Sequence, residues 1–366
     1  MEHALPDTVP VPWPDPSAEP PEATRAALER AVAVLAAGGL VAIPTETVYG
    51  LAAVAVDPLA VGRIFTAKGR QSTNPLIVHV ADTAMAKSLA AEWPPVAEQI
   101  TARFWPGPVT VVVPRGPRVP EIVTAGGETV ALRCPAHPLV RRLIAMLGAP
   151  LAAPSANRSL RLSPTTAGHV YESLGARVDL ILDGGPCAAG IESTVIDCTA
   201  TDPVILRPGP VTVDDLGRLL GRPVESAADG GTGPARSPGR LRRHYAPRTP
   251  LEVTDDAPRR VRQWARSGRR IGWLCLDPDA PATRAIAGST DAVVVPMPAD
   301  PRAYGSRLYA TLHALDRRSL DVIVVDAPPE APGWDAIRDR LERASATAGE
   351  DDTAGDDAGG GAEAAE

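Results

Sequence analysis

The sequence predicts an α/β protein with two domains, each built on a β-sheet covered by helices. Its length of 366 residues exceeds what one hydrophobic core usually organises. Apolar residues make up 44% of the chain but aromatic residues only 4%, so the cores must be aliphatic. Short aliphatic runs alternate with segments of helical periodicity, and this alternation is typical of β/α folds.

The first domain, predicted over residues 23–220, should contain a mixed sheet. Leu28, Val32 and Leu35 share one face of a helix that ends before Gly38, and residues 40–43 form a buried strand. Asp57 resembles an N-cap, with a proline in the first turn of a helix that leads to Lys68. Further strands are predicted at 76–80, 109–113, 130–132, 180–182, 195–196 and 204–206, and further helices at 82–91, 95–104, 138–147 and 165–174.

The remainder of the chain divides into a linker and a second domain. Residues 221–250 lose periodicity and gain Gly, Pro and Arg, which predicts a linker. Residues 251–345 should form a small, parallel, Rossmann-like domain. Its strands are predicted at 271–276, 292–295 and 321–325, and its helices at 258–267, 302–316 and 334–344. The acidic ends, 1–22 and 346–366, are expected to be a flexible extension and a disordered tail.

The net charge of the whole chain is −7, but the central part of the chain, here called the basic body, is positively charged. The two ends hold 12 acidic residues and no Lys or Arg, so residues 23–345 carry 37 basic and 32 acidic residues, a net charge of +5. Such a body is compatible with nucleotide or nucleic-acid ligands. The N-terminus lacks a secretory pattern and the apolar runs are too short to span a membrane, which predicts a cytoplasmic protein. Four cysteines without CxxC spacing suggest reduced structural thiols rather than a zinc site.

Several polar segments are candidates for a ligand site. The turn at 44–51 offers two threonine hydroxyls and a carboxylate, although a capped turn explains it equally well. Lys68 and Arg70 flank a glycine and could face one phosphate chain, without the spacing of a Walker A loop. As an isolated pair they would more often be a solvated helix end. His79 in an aliphatic strand could be a core histidine, and Arg133 at a strand end could clamp a carboxylate or pair with an internal acid.

Other segments supply hydroxyl, amide and guanidinium groups. They include the turn with Ser155 and Asn157, a helix start at Ser163, the hydroxyl of Ser193 and the guanidinium of Arg207. No Ser/His/Asp triad, metal-ligand cluster or acid/base pair stands out by its spacing. Cations, hydroxyls and glycine turns suit phosphoryl or nucleotidyl transfer, where positioning and charge stabilisation carry most of the catalysis.

Taken together, these segments resemble the Sua5 members of the Sua5/YciO/YrdC family, the threonylcarbamoyl-adenylate synthases. Nine motifs carry the resemblance in chain order over about two hundred residues. They are PTETVYGL at 44–51, KGR with NPLIVHV at 68–80, FWPGPVT at 104–110, ALRCPAHP at 131–138, PSAN at 154–157, SPT at 163–165, GIESTVID at 190–197, LRPGP at 206–210 and HYAP at 244–247.

The resemblance implies a YrdC-like twisted mixed sheet linked to a Sua5-type C-terminal domain. It implies a nucleotidyltransferase that converts L-threonine, bicarbonate or CO2, and ATP to threonylcarbamoyl-AMP and pyrophosphate. Mg²⁺ would accompany ATP, without a protein metal site. The product would pass to the tRNA threonylcarbamoyl transferase machinery, and direct contact with tRNA stays open.

The resemblance also assigns residues to ligands. For L-threonine it implies Thr47, His79, Arg133, Ala153 and Ser193. For ATP it implies Arg70, Asn74, Thr129, Ser155, Asn157, Ser163, Arg207 and Tyr245, with Tyr245 on a linker that closes as a lid. Lys68 and Arg70 would supply catalytic positive charge.

The sequence differs from the family motifs at two places, and two other functions are compatible with some of its features. Ala52 stands where members of the family often have glycine, and residues 237–243 are richer in arginine than the common linker motif. An RNA-binding module would also use a basic body. A related carbamoyl-adenylate-forming enzyme of the O-carbamoyltransferase type would carry zinc motifs and further domains that this sequence lacks.

Overall fold

The computed structural model describes residues 6–13, 15–227, 242–288 and 292–346. Its two sheets, one mixed and one parallel, confirm the predicted fold class. The expected disordered tail after residue 346 and residues 228–241 of the predicted linker lie outside the described residues.

The described chain up to residue 227 contains eleven strands and eight α-helices, with the last strand inside the predicted linker. The strands are β1 (Asp7–Pro10), β2 (Val41–Ile43), β3 (Gly50–Val54), β4 (Ile77–His79), β5 (Val109–Pro114), β6 (Thr129–Arg133), β7 (Leu151–Ala152), β8 (Leu180–Asp183), β9 (Thr194–Asp197), β10 (Val204–Arg207) and β11 (Glu225–Ser226). The helices are α1 (Glu22–Ala36), α2 (Pro58–Lys68), α3 (Thr83–Lys87), α4 (Pro95–Phe104), α5 (Glu121–Thr124), α6 (Pro138–Leu147), α7 (Ala167–Leu174) and α8 (Val213–Leu220).

These strands form one sheet in the order β1-β8-β2-β3-β7-β4-β6-β5-β9-β10-β11. Parallel pairs such as β4 with β6 alternate with antiparallel pairs such as β5 with β6. Successive residues of β2 face opposite sides: Ala42 joins the core beneath α2 and α7, while Val41 and Ile43 join the core beneath α1 and α6. The sheet is therefore buried on both faces, as its aliphatic strands require.

The second sheet is parallel and has the order β12-β15-β13-β14. Its elements are β12 (Leu251–Thr254), α9 (Ala257–Arg266), β13 (Ile271–Cys275), α10 (Pro281–Ala287), β14 (Val293–Pro296), α11 (Pro301–Asp316), β15 (Val322–Asp326) and α12 (Asp335–Ser345). Helices α9 and α10 cover one face, and α11 and α12 cover the other. The core under α11 and α12 also takes in Val48, Leu162 and Ile191, so the two domains share apolar packing.

The start of the chain differs from the expectation of a flexible extension over residues 1–22. Strand β1 pairs with β8 in parallel, and Val11, whose N–H donates to the Asp183 carbonyl at 2.9 Å, is 3% exposed. That expectation is wrong for residues 7–11, because this segment supplies an edge strand and a core side chain. The acidic composition concealed the short alternation of apolar residues there.

Within the described part of the chain, no helix combines the length and the apolar character needed to cross a membrane.

Candidate active site

A cavity lies at the carboxyl ends of β4 and β6, beside the β2–β3 turn and the segment that enters the second domain. Nine of the predicted site residues line it: Thr47, Arg70, His79, Arg133, Ala153, Ser155, Ser193, Arg207 and Tyr245. All five residues predicted for threonine are among them. Parallel pairing of β4 with β6 sets His79 opposite Arg133, which explains why these two motifs meet.

Arg133 lies at one end of the cavity and is 4% exposed. Its Nη2 lies 2.8 Å from Oε1 of Glu46, and its Nη1 donates to Oγ1 of Thr47 at 2.9 Å. Burial raises the pKa of Glu46, but the charge and hydrogen bond of Arg133 outweigh burial and hold that pKa below its usual value. The pair therefore fixes a charged guanidinium at the cavity wall.

His79 is a neutral imidazole at this end of the cavity. Burial, assisted by the charge of Arg133, lowers its pKa to about 3. Its Nδ1 is buried and has no hydrogen-bond partner among the described residues. A neutral ring nitrogen of this kind can exchange a hydrogen bond with a polar substrate group.

A second group of polar side chains surrounds Ser193. Its Oγ lies 2.8 Å from Oγ1 of Thr110, and Arg207 Nη2 donates to the Ser193 carbonyl at 3.0 Å. Arg207 ends β10 and is 5% exposed. Its guanidinium is thereby held at the cavity wall as a second fixed cation.

The turn after β7 brings Ser155 to the cavity, and Lys68 stabilises this turn through hydrogen bonds to its backbone. The Nζ of Lys68 donates to the carbonyls of Ser155 at 2.5 Å and Asn157 at 2.6 Å. Lys68 is 2% exposed, and burial together with the charge of Arg70 lowers its pKa well below the usual value. In this structure its ammonium supports the turn and does not line the cavity.

The side chain of Arg70 lies apart from that of Lys68, because α2 ends at Lys68 and the chain turns at the next residue. Gly69 has a left-handed conformation with a φ of 60°, which favours glycine and turns the chain. Arg70 Nε donates to the Asn74 carbonyl at 3.3 Å and Nη2 to the Pro75 carbonyl at 2.9 Å. The two cations predicted to act together thus have separate positions, one under a turn and one at the cavity.

His244 and Tyr245 close the cavity from the side of the second domain. They are 6% and 1% exposed, and their rings meet edge to face at 3.9 Å. The guanidinium of Arg340 lies over the Tyr245 ring at 5.2 Å from its centroid. The space that remains in the cavity is about 50 Å³, room for only a few water molecules.

Glu192 links the cavity to the second domain. Its Oε1 accepts from the Ser163 hydroxyl at 2.6 Å, and its Oε2 accepts from Tyr309 at 3.2 Å and from Arg340 Nε at 2.9 Å. Burial raises the pKa of Glu192, but the charges of Arg340 and Arg207 outweigh it and keep the pKa below the usual value. Glu192 is therefore a buried carboxylate with both oxygens satisfied.

Five predicted residues do not line this cavity: Lys68, Asn74, Thr129, Asn157 and Ser163. Thr129 begins β6, at the opposite end from Arg133, and Ser163 is bonded to Glu192. Asn157 donates to the carbonyls of Arg158 and Arg161 at 2.8 and 2.7 Å. The catalytic role of Lys68 and the ATP contacts of the other four stay predictions.

Seven lining residues were not assigned to a ligand from the sequence: Thr45, Val48, Gly50, Ile77, Pro154, Glu192 and His244. All seven lie inside the quoted motifs, so motif membership was the available signal. Glu192 needed tertiary information, because two of its partners, Tyr309 and Arg340, lie far away in the second domain.

Comparisons with known proteins identify the family of the chain. The Sua5_yciO_yrdC family model, described as "Telomere recombination", matches residues 33–209, and the model described as "Threonylcarbamoyl-AMP synthase, C-terminal domain" matches residues 211–346. The threonylcarbamoyl-AMP synthase of Pyrococcus abyssi is 40% identical over 84% of this chain and 91% of its own. The chain belongs to the Sua5/YciO/YrdC family.

Two further comparisons place this family member beside two-domain relatives. The threonylcarbamoyl-AMP synthase of Bacillus subtilis is 40% identical over 87% of this chain and 92% of its own. The crystal structure of P. abyssi Sua5 complexed with L-threonine superposes with a TM-score of 0.80 at 36% identity, covering 92% of this chain and 96% of that one. The similarity spans both domains.

Proposed function

We propose that this chain is an L-threonylcarbamoyladenylate synthase, which converts L-threonine, bicarbonate or CO2, and ATP to threonylcarbamoyl-AMP and pyrophosphate. The observation that carries the proposal is the meeting of all five predicted threonine residues with Arg70 and Arg207 in one cavity. Membership of the Sua5/YciO/YrdC family and relatives named threonylcarbamoyl-AMP synthase support it.

Threonine would bind at the end of the cavity formed by Arg133, Thr47 and His79. The guanidinium of Arg133 suits the substrate carboxylate, because a fork of N–H donors pairs with two oxygens. Glu46 and Thr47 hold that guanidinium in place before the substrate arrives. The neutral ring of His79 would exchange a hydrogen bond with the amine or hydroxyl of threonine.

ATP would place its phosphates toward Arg70, Arg207 and Ser155. The threonine amine, once deprotonated, adds to CO2 to give a carbamate and releases one proton. A carbamate oxygen then forms a bond to the α-phosphorus while the bond to the β-phosphate breaks, so that pyrophosphate carries away the electron pair. Fixed arginines stabilise the charge that develops on the phosphates.

Magnesium would enter with the nucleotide. Among the described residues, no group of three His, Cys, Asp or Glu side chains is arranged to hold a metal ion. The carboxylate of the cavity, Glu192, already accepts from Ser163, Tyr309 and Arg340. Mg²⁺ would be held by phosphate oxygens and would neutralise their charge.

The segment with His244 and Tyr245 must move for ATP to bind. The present space of about 50 Å³ is far too small for a nucleotide. Both side chains are held mainly by packing, since Tyr245 OH and His244 Nδ1 have no hydrogen-bond partner among the described residues. The segment would act as a lid that opens for ATP and closes during reaction, excluding water from a hydrolysable product.

The product would serve the threonylcarbamoyladenosine modification of tRNA. Threonylcarbamoyl-AMP is a mixed anhydride, which is activated for transfer to a nucleophile. A tRNA threonylcarbamoyl transferase would consume it, in the cytoplasm as the sequence predicts.

Pyrophosphate release from ATP tests this function. We expect release by the purified chain only when threonine and bicarbonate are both present. Equal release without threonine would contradict the proposed substrate, and equal release in bicarbonate-free buffer would contradict the carbamate route.

A further inference from the structure

A second cleft lies between the domains, and among the described residues it shares no lining residue with the catalytic cavity. Its volume is about 620 Å³, which is within the usual range of sites that hold one small molecule. Charged side chains from both domains and from the segment between them line it: Arg158, Arg161, Glu172, Arg248, Asp316 and Arg317. Four guanidinium groups and two carboxylates leave positive charge in excess.

Both carboxylates of the cleft are engaged within the protein. Glu172 forms an ion pair with Arg317 at 3.0 Å. Asp316 accepts from the backbone N–H groups of Arg248 and Thr249 at 3.1 and 2.8 Å. Both acids therefore have partners before any ligand binds.

Two guanidinium groups remain available to a ligand. Arg158 and Arg248 are exposed, and within the described residues neither side chain forms a hydrogen bond or an ion pair. Their backbones are fixed, because the N–H of Arg158 donates to Ser173 Oγ at 3.0 Å and that of Arg248 donates to Asp316. An arginine fork on a fixed backbone suits a phosphate group.

The two histidines that line the cleft add no charge near neutral pH. The imidazoles of His169 and His313 stack at 3.9 Å with an angle of 17° between their planes. Burial lowers the pKa of each to about 4. The positive charge of the cleft therefore comes from its arginines.

The cleft is adjacent to the lid of the catalytic cavity. Ala246 lines the cleft, whereas its neighbour Tyr245 lines the catalytic cavity. The N–H of Ala246 donates to the Leu160 carbonyl at 2.9 Å, and Arg248 is held by Asp316 two residues further along. The segment proposed to close over ATP is therefore anchored to the walls of this cleft.

Positive φ angles are concentrated at the same place. Four described residues other than glycine have one: Ala125, Leu160, Tyr245 and Ser319. Ser319 lines the cleft, and Leu160 and Tyr245 each precede a lining residue. A left-handed conformation is unfavourable for a residue with a side chain, and such positions are typical of ligand sites and of segments that move.

We propose that this interdomain cleft binds the diphosphate group of a small molecule, either inorganic pyrophosphate or a nucleotide, and that binding there holds the lid closed. Each free guanidinium pairs with one phosphate, so a diphosphate can bridge Arg158 of the first domain and Arg248 beside the lid. Such a bridge ties the two walls of the cleft together and opposes the opening that entry of ATP requires. The effect on the lid rests on the proposed function, whereas the binding site does not.

Isothermal titration calorimetry of the full chain with inorganic pyrophosphate tests the site. The cleft variant, Arg158→Gln with Arg248→Gln, removes two charged contacts worth about tenfold each, so the affinity of the cleft should fall about 100-fold. The control variant, Arg25→Gln with Arg284→Gln, removes the same charge from exposed positions elsewhere in each domain and should bind as wild type does. Inorganic phosphate can meet only one of the two cleft arginines and should bind there about tenfold more weakly than pyrophosphate.

A titration with ADP identifies the source of the diphosphate. Tighter binding of ADP to the cleft than of pyrophosphate would support a nucleotide, and equal or weaker binding would support free pyrophosphate. Three outcomes would overturn the proposal: the same pyrophosphate titration in the cleft variant and in wild type, an equal loss in the control variant, or binding of inorganic phosphate to the cleft as tightly as pyrophosphate.

The effect on the lid is measured separately, through inhibition of threonylcarbamoyl-AMP formation by added pyrophosphate. Wild type and the control variant should be inhibited more strongly than the cleft variant, and equal inhibition of all three would contradict the coupling to the lid. Without added pyrophosphate, threonine-dependent turnover of the cleft variant should equal that of wild type. Absence of turnover in wild type would overturn the proposed function and leave the binding result intact, so the two failures are distinguishable.

Discussion

At the level of single residues, the pair formed by Arg133 and Glu46 bears on both the stability of the fold and the proposed binding of threonine. The two side chains are 5% and 15% exposed and lie 2.8 Å apart. Removing one partner leaves a buried charge uncompensated, whereas removing both does not. The pair thus allows a structural effect to be separated from an effect on substrate.

We predict that Arg133→Gln lowers the free energy of unfolding by about 3 kcal/mol, because Glu46 loses its buried partner. Adding Glu46→Gln should restore most of that stability in urea denaturation. Neither variant should regain the wild-type KM for threonine, measured by pyrophosphate release. A double variant with wild-type KM would show that Arg133 does not bind the substrate carboxylate.

Lys68 and Arg70 should differ in their effects on the fold. Lys68→Met leaves two buried carbonyls, of Ser155 and Asn157, without their donor, and should cost about 2 kcal/mol of unfolding free energy. Arg70→Met should cost less, because Arg70 is only partly buried, yet it should reduce turnover. A Lys68→Met protein as stable as wild type would contradict the bracing role.

At the level of elements, the sequence predicted what local patterns encode. Helix α2 begins as expected, with the Asp57 carboxylate accepting from the N–H groups of Leu59 and Ala60 at 2.9 and 3.2 Å. Strands β5 and β8 are aliphatic runs and were found. The motifs that contain the candidate site residues were also recognised, because polar residues at the ends of predicted strands can be identified from the sequence alone.

Elements that depend on their neighbours were missed. Strand β3 reads Gly-Leu-Ala-Ala-Val, a composition with weak strand propensity, and it forms because it pairs with β2 and β7 inside the sheet. Strand β1 depends in the same way on β8. The burial of Lys68 could not be read from sequence, because its acceptors are backbone carbonyls 87 and 89 residues away.

The pairing of β1 predicts the effect of a truncation. Deleting residues 1–11 removes the edge strand and the buried Val11 side chain, worth about 1.5 kcal/mol by apolar burial alone. The melting temperature should fall by a few degrees, measured by circular dichroism. Deleting the acidic residues 347–366 is the control and should leave it unchanged. Equal melting of both truncated chains and wild type would contradict the tethered N-terminus.

At the level of the whole molecule, the domains are joined by apolar packing, by the Glu192–Arg340 ion pair and by the stacked pair of His169 and His313. The last contact is sensitive to pH. His313 Nε2 lies 3.2 Å from the Ser163 carbonyl oxygen, and Arg317 faces both rings with its charge. Protonation of either imidazole therefore opposes the interface.

Stability should fall as the pH is lowered from about 6.5 toward 4. Both histidines have a folded pKa of about 4, below the unfolded value, so the unfolded chain binds more protons in this window. His313→Asn should reduce proton uptake on unfolding by about one proton and flatten the dependence of stability on pH. A slope equal to that of wild type would contradict this assignment.

The central claim is that one cavity joins threonine, CO2 and the α-phosphate of ATP. Mass spectrometry of reactions with carbon-13-labelled bicarbonate tests it most directly. The purified chain should form threonylcarbamoyl-AMP that carries the label, together with pyrophosphate. ATP hydrolysis without a labelled adenylate, or a labelled adenylate formed equally well from serine in place of threonine, would contradict the account.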